Sequence, residues 1–197
     1  AIESAPVLAD LNADGKKDAI FTVEGLGLFA LDGNSGEKIW SYISAYDHGS
    51  YMSSPAAYDL NSDGTKDFVF GGKEKDLMTG GWNYQNVIFA ISGKTGLPIW
   101  KHNVHSNVHA SPLIKVNRDS IEIYVAQSYS DVLVLDREGK MSRFINLNEF
   151  DGGISGLFSS PVLSDQNVLC IGTSWWGESD GVWTVPLCDD HFLHTLQ

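Results

Sequence analysis

The feature that most limits what this chain can fold into is an acidic loop that occurs twice. Asp10-Leu11-Asn12-Ala13-Asp14-Gly15-Lys16-Lys17-Asp18 reads D-x-N-x-D-G-x-x-D, and Asp59-Leu60-Asn61-Ser62-Asp63-Gly64-Thr65-Lys66-Asp67 reads the same way. Oxygen-bearing side chains at the first, third, fifth and ninth positions, with glycine at the sixth for a sharp turn, describe a loop that wraps a hard cation. Calcium takes 6–8 oxygen ligands, and such a loop offers several carboxylates, one amide oxygen and a backbone carbonyl. Asn-x-Asp-Gly also occurs in ordinary turns. Here, however, each copy lies between two short apolar runs, so the spacing predicts two calcium ions. An EF-hand is excluded, because its twelfth-position glutamate is replaced by Phe21 and Phe70 and the flanks read as strands.

The loops belong to a longer repeat. A Ser/Ala-x-Pro marker at Pro6, Pro55, Pro112 and Pro161 opens four units of about fifty residues each. In the first unit, apolar runs at 6–9, 19–23, 26–31 and 38–43 are separated by the Asp loop and by the turn Asp32-Gly33-Asn34-Ser35-Gly36. The corresponding runs are 55–58, 68–70, 87–91 and 98–101, then 112–116, 121–126, 132–135 and 141–145, then 161–163, 168–172, 181–187 and 192–196. No stretch longer than ten residues carries a convincing helical period. Four antiparallel strands per unit is the blade of a β-propeller. The predicted fold is therefore all-β, one propeller domain over 1–197 with four blades at approximately 1–46, 47–103, 104–150 and 151–197. Two closures stay open: a ring of four blades, or half of a larger ring completed by a second chain, as in a homodimer, or by residues outside these 197. A β-sandwich would leave the repeat unexplained.

These residues also carry a family resemblance. The acidic loop after a Pro-led strand resembles the FG-GAP repeats of integrin α-subunit propellers. Ala30-Leu31-Asp32-Gly33-Asn34-Ser35-Gly36-Glu37-Lys38-Ile39-Trp40 is similar to the A-x-D-x-x-x-G-x-x-x-W motif of quinoprotein-like (PQQ-like) propeller repeats, and residues 90–100 match it again with Ser92 in place of Asp. The resemblance implies structural calcium held by Asp10, Asn12, Asp14 and Asp18 and by Asp59, Asn61, Asp63 and Asp67, with backbone carbonyls from Lys16 and Thr65. It implies that Trp40 and Trp100 dock on neighbouring blades, where a large aromatic fills the wedge between twisted sheets. Unit three keeps only Asn117 and Asp119 of the loop, and unit four has Ser164-Asp165-Gln166-Asn167 in its place and no docking tryptophan.

Charge and composition narrow the partners. The net charge is −12 over 197 residues and there is no run of Lys/Arg, which argues against nucleic acid and against an anionic membrane surface. No apolar run approaches the roughly 18 residues of a membrane span, so no membrane insertion is expected, and no signal peptide is seen at Ala1. Cys170 and Cys188 read equally as a disulfide and as two small buried residues.

In such a blade, with strands A to D in chain order, the A–B and C–D turns emerge on one face and the B–C and D–A connections on the other. The second face is expected to hold the ligand site. Its long B–C segments carry Trp82 and Tyr84 in 71–86, and Trp175 and Trp176 in 173–180. Its D–A segments carry His48 and His105, each seven residues before a unit-opening proline, which places them near one rim on adjacent blades. Loop-satisfying histidines and folded-back tryptophans are the plainer reading of the same residues. Two aligned histidines fall short of a zinc site. No catalytic residue is assigned, because the chain has no G-x-S-x-G elbow, no supported Cys/His pair, no phosphate loop and no H-E-x-x-H. The reading is a non-catalytic, calcium-stabilised extracellular or periplasmic module that binds a protein or glycan, since modules with weak calcium loops need roughly 0.1–1 mM calcium. The alternatives are a domain of a secreted enzyme (polysaccharide lyase or quinoprotein-like) and a structural assembly module.

Overall fold

The computed structural model describes residues 2, 4–43, 53–75, 84–118, 120–128, 131–147, 159–173, 181–186 and 194–196. It contains four antiparallel sheets, each of four strands taken in chain order. The first blade is β1 (Val7–Ala9), β2 (Asp18–Val23), β3 (Gly27–Leu31) and β4 (Lys38–Ile43); the second is β5 (Ala56–Tyr58), β6 (Asp67–Lys75), β7 (Tyr84–Ile91) and β8 (Pro98–Val104). The third is β9 (Leu113–Val116), β10 (Ile121–Gln127), β11 (Asp131–Leu135) and β12 (Met141–Asn146); the fourth is β13 (Val162–Leu163), β14 (Val168–Thr173), β15 (Gly181–Pro186) and β16 (His194–Leu196). This is the four-bladed, all-β propeller architecture that the repeat predicts.

Successive residues of a strand point to opposite sides of the sheet, so each blade has a leading face toward the preceding blade and a trailing face toward the next. Three apolar clusters fill the joints. Ile20, Leu28, Ala30 and Trp40 of blade 1 meet Phe68, Phe70, Phe89 and Ile91 of blade 2. Val69, Ile88 and Ala90 of blade 2 meet Ile123, Val125, Leu133 and Leu135 of blade 3. Tyr124, Ala126, Val132 and Val134 of blade 3 meet Leu169 and Ile171 of blade 4. Blades 2 and 3 therefore bury both faces of their central strands, which explains runs apolar at nearly every position rather than alternating.

Two repeated devices lock these joints. Trp40 Nε1 donates to the Gly93 carbonyl at 2.7 Å and Trp100 Nε1 to the Arg137 carbonyl at 2.9 Å, so each indole buries its body between blades while its one polar atom is satisfied. The unit-opening marker has a second role. The hydroxyl of Ser4 bridges the N–H and C=O of Thr22, and Ser53 and Ser159 do the same at Gly71 and Gly172. Its middle residue links blades: Ala5 N–H donates to Ser54 Oγ at 2.8 Å, and Ser111 N–H to Ser160 Oγ at 3.0 Å.

One expectation is corrected. At both ends of the long B–C loop predicted over 71–86 the chain is strand, because β6 and β7 continue pairing through Lys73↔Asn86, Glu74↔Gln85 and Lys75↔Tyr84, while 76–83 lie outside the described residues. Polar residues in a ladder keep their backbone bonds while their side chains reach solvent, and that pattern hid the extension. Among the described residues Cys170 has no disulfide partner, and Cys188 lies outside them.

Candidate functional site

The two acidic loops adopt one geometry. Ala13 and Ser62 both sit at φ 61°, and Gly15 and Gly64 at 82° and 86°. Each bend is held by its own side chains. Asn12 Oδ1 accepts from Asp14 N–H at 3.0 Å, Asp10 Oδ2 from Gly15 N–H at 2.9 Å and Asp14 Oδ1 from Lys16 N–H at 2.8 Å. In the second loop the equivalents are Asn61 to Asp63 at 3.0 Å, Asp59 to Gly64 at 3.0 Å and Asp63 to Thr65 at 2.9 Å. The Thr65 N–H holds the Asp63 carboxyl below its ordinary value.

The ninth-position carboxylates are fully buried and tie each loop to the C–D turn of its blade. Asp18 accepts from Leu11 N–H at 2.8 Å and from Gly33 N–H at 3.0 Å. Asp67 accepts from Leu60 and Asn61 at 2.8 and 3.2 Å and from Gly93 at 3.1 Å. Burial pushes the Asp67 carboxyl above its usual value, against the pull of those N–H groups. This clamp brings the A–B loop and C–D turn to one end of the blade, as does Asn12 Nδ2 donating to Asp32 at 2.7 Å.

The donor set of each loop is oxygen alone, which suits calcium rather than a transition metal. Asp10 Oδ1 is buried and accepts no hydrogen bond, an acceptor left over for a cation. Among the described residues no three His, Cys, Asp or Glu side chains gather into a metal group on their own, so Asn12, Asn61 and backbone carbonyls belong in any ligand set. Asp18 and Asp67 keep further lone pairs beside their backbone bonds.

On the opposite end of the blades the structure assembles a group of side chains at the joint of blades 2 and 3. His105 Nε2 lies 2.7 Å from Asp131 Oδ2, with Asp131 buried and the imidazole more than half exposed. Asp131 pairs across the ladder with Gln127, which is fully buried and whose amide atoms have no hydrogen-bond partner among the described residues. Asn86, cross-strand from Val104 beside His105, has an unpartnered buried Oδ1. Native interiors leave few such atoms. Of the expected ligand residues, only His105 joins this group. Tyr84 is half-buried in β7, and His48, Trp82, Trp175 and Trp176 lie outside the described residues. Asp131, Gln127 and Asn86 escaped sequence reading because each looks like an ordinary polar residue at a strand end.

The fold and this two-ended arrangement define a β-propeller. No protein-family model and no curated protein matches the chain. Solved structures do. BamB from Moraxella catarrhalis superposes with TM-score 0.62 at 15% identity over 100% of this chain and 50% of that one. The quinohemoprotein alcohol dehydrogenase ADHIIG from Pseudomonas putida HK5 gives TM-score 0.64 at 15% identity over 100% of this chain and 34% of that one. BBS1N, solved in complex with ARL6DN, gives 0.60 at 8% identity over 100% and 66%. At these identities the likeness is one of fold. The chain spans half of the BamB chain and about a third of the dehydrogenase.

Proposed function

We propose that this chain is a non-catalytic, calcium-stabilised propeller module of the extracellular space or periplasm that recognises a protein or glycan at the rim of blades 2 and 3. The observation that carries the reading is Gln127: a fully buried amide beside the His105–Asp131 pair, with no partner among the described residues. An unpaired buried amide costs about 1–3 kcal/mol, and a ligand that pairs with it recovers that energy. That BBS1N holds a protein partner is consistent with a propeller used for docking. No helix among the described residues is long and apolar enough to cross a membrane. The calcium loops support an extracellular or periplasmic site of action, where millimolar calcium fills weak loops.

Binding to a glycan array and to candidate secreted proteins, with Gln127→Leu alongside wild type, tests the rim. The variant is expected to keep or gain thermal stability and to lose binding. Binding at wild-type strength would move the site elsewhere, and a large stability loss would make Gln127 a packing residue. The His105–Asp131 pair also favours a second reading, an enzyme domain, since a carboxylate-oriented imidazole is a general base. Turnover abolished by His105→Ala with binding retained would select it.

A further inference from the structure

The leading face of blade 1 is built like those of blades 2 and 3 but is left uncovered. Ladder register makes Phe21, Phe29 and Leu31 equivalent to Phe70, Phe89 and Ile91, and to Val125, Leu133 and Leu135. The blade 2 and 3 residues are buried against the preceding blade; Phe21, Phe29 and Leu31 are only partly buried, and Leu8 beside them is 60% exposed. The aromatic pair is already formed. Phe21 stacks on Phe29 at 16° between planes, as Phe70 stacks on Phe89 at 17°.

The tryptophan dock is formed and empty as well. In blade 2, Trp40 lies 3.0 Å from where a Cβ of Gly96 would be, and in blade 3, Trp100 lies 2.5 Å from that of Gly139. Both glycines are buried under the indole at positive φ, where only glycine admits a flat ring so close. Gly36 has the same backbone, φ 74°, yet is exposed with nothing within 4 Å, and the Gly33 carbonyl matches the one Trp40 uses on Gly93.

Among the described residues nothing supplies the missing ring. Trp40 and Trp100 are engaged, and the equivalent strand positions of blades 3 and 4 are Arg143 and His194. We infer that the leading face of blade 1 is a docking surface for the trailing face of a further β-propeller blade, one with tryptophan at the Trp40 position and outside these 197 residues. The joint would continue the three already present, with an indole over Gly36 donating to the Gly33 carbonyl and apolar residues over Phe21, Phe29 and Leu31. The surface is at the opposite side of blade 1 from the blade 2–3 rim and does not depend on that site.

The test fuses a second copy of residues 1–49 ahead of Ala1, preserving the separation of 49 residues at which blade 1 and blade 2 markers meet. The added blade carries its own Trp40. The extended protein is expected to melt about 5 °C higher than the 197-residue chain. Trp40→Ala in the added copy should remove most of that gain. Phe29→Asp in the original blade 1 should be nearly silent in the 197-residue chain and strongly destabilising in the extended one. No gain, a gain insensitive to both substitutions, or an added copy whose amides exchange as an unfolded segment would each overturn the inference. So would sedimentation of the 197-residue chain as a dimer that Phe29→Asp dissociates, since the occupant would then be a second copy.

Discussion

Blades 1 and 2 and blades 3 and 4 solve the same problem with different chemistry. In the first pair a nine-residue acidic loop joins A to B, and a buried aspartate, Asp18 or Asp67, fastens it to the C–D turn. In blade 3 the register puts Glu122 at that position, and the glutamate faces outward to Lys115 at 3.4 Å, Arg143 at 3.3 Å and the Tyr124 hydroxyl at 3.0 Å. In blade 4 a short turn suffices, with Ser164 Oγ accepting from Val168 N–H at 3.1 Å. A long connection orders many residues and needs side-chain oxygens to satisfy its amides; a short one closes on its own backbone. The tryptophan dock follows the same division, holding blade 2 to blade 1 and blade 3 to blade 2 but absent from the last joint. Only the blades with long loops carry the all-oxygen donor set that would suit calcium.

Substitution can break this contrast. The largest effect is expected from Trp40→Ala, which opens a cavity and strands the Gly93 carbonyl; about 3–5 kcal/mol should be lost in urea unfolding, whereas Arg143→Ala at the equivalent position should cost under about 1 kcal/mol. Asp67→Ala leaves three backbone N–H groups without their acceptor and should cost about 2–3 kcal/mol by the same assay; a loss no greater than that of Glu122→Ala would show that the clamp is not special.

Calcium should add about 1.4 kcal/mol per loop at ten times its dissociation constant, read as a melting temperature that falls on chelation. Asp14→Ala or Asp63→Ala should narrow the gap between calcium and EDTA, while Asn117→Ala should leave it unchanged. Equal melting curves with and without the ion would remove calcium from both loops.

The smallest effect is in pH. Asp63, held low chiefly by the Thr65 N–H, stabilises the fold above the ordinary carboxylate value near 3.8 and loses that contribution as pH falls through its lower folded value. Asp67, raised chiefly by burial, has the opposite sign: its contribution is present below 3.8 and fades as pH rises through the higher folded value. Without calcium, Asp63→Asn should therefore flatten the acid limb of stability between about pH 5 and 3 relative to wild type. An acid limb as steep in the variant as in wild type would contradict the assignment.

Much of the fold was legible because its signals are local. Pro6, Pro55, Pro112 and Pro161 mark the units, and the turn chemistry of Asp32–Gly36 and its counterparts separates strands that the structure confirms to within a few residues. The extension of β6 and β7 was not legible, since Lys73, Glu74, Gln85 and Asn86 have the composition of a loop and become strand only by pairing with each other. The rim site was legible in one residue of four. His105 stood out by its spacing from Pro112, whereas Asp131, Gln127 and Asn86 gain meaning only when two blades bring them together.

By itself the sequence determined the blade: four short strands, a sharp acidic turn with glycine where φ is positive, and a tryptophan at a repeated position. Those are properties of a few neighbouring residues and the backbone conformations they allow. Only the tertiary structure decided which apolar faces are covered, that Gln127 is buried with no partner among the described residues, and that the dock at Gly36 stands open while those at Gly96 and Gly139 are filled. Burial is set by the sheet that packs opposite, and no strand encodes the identity of its neighbour.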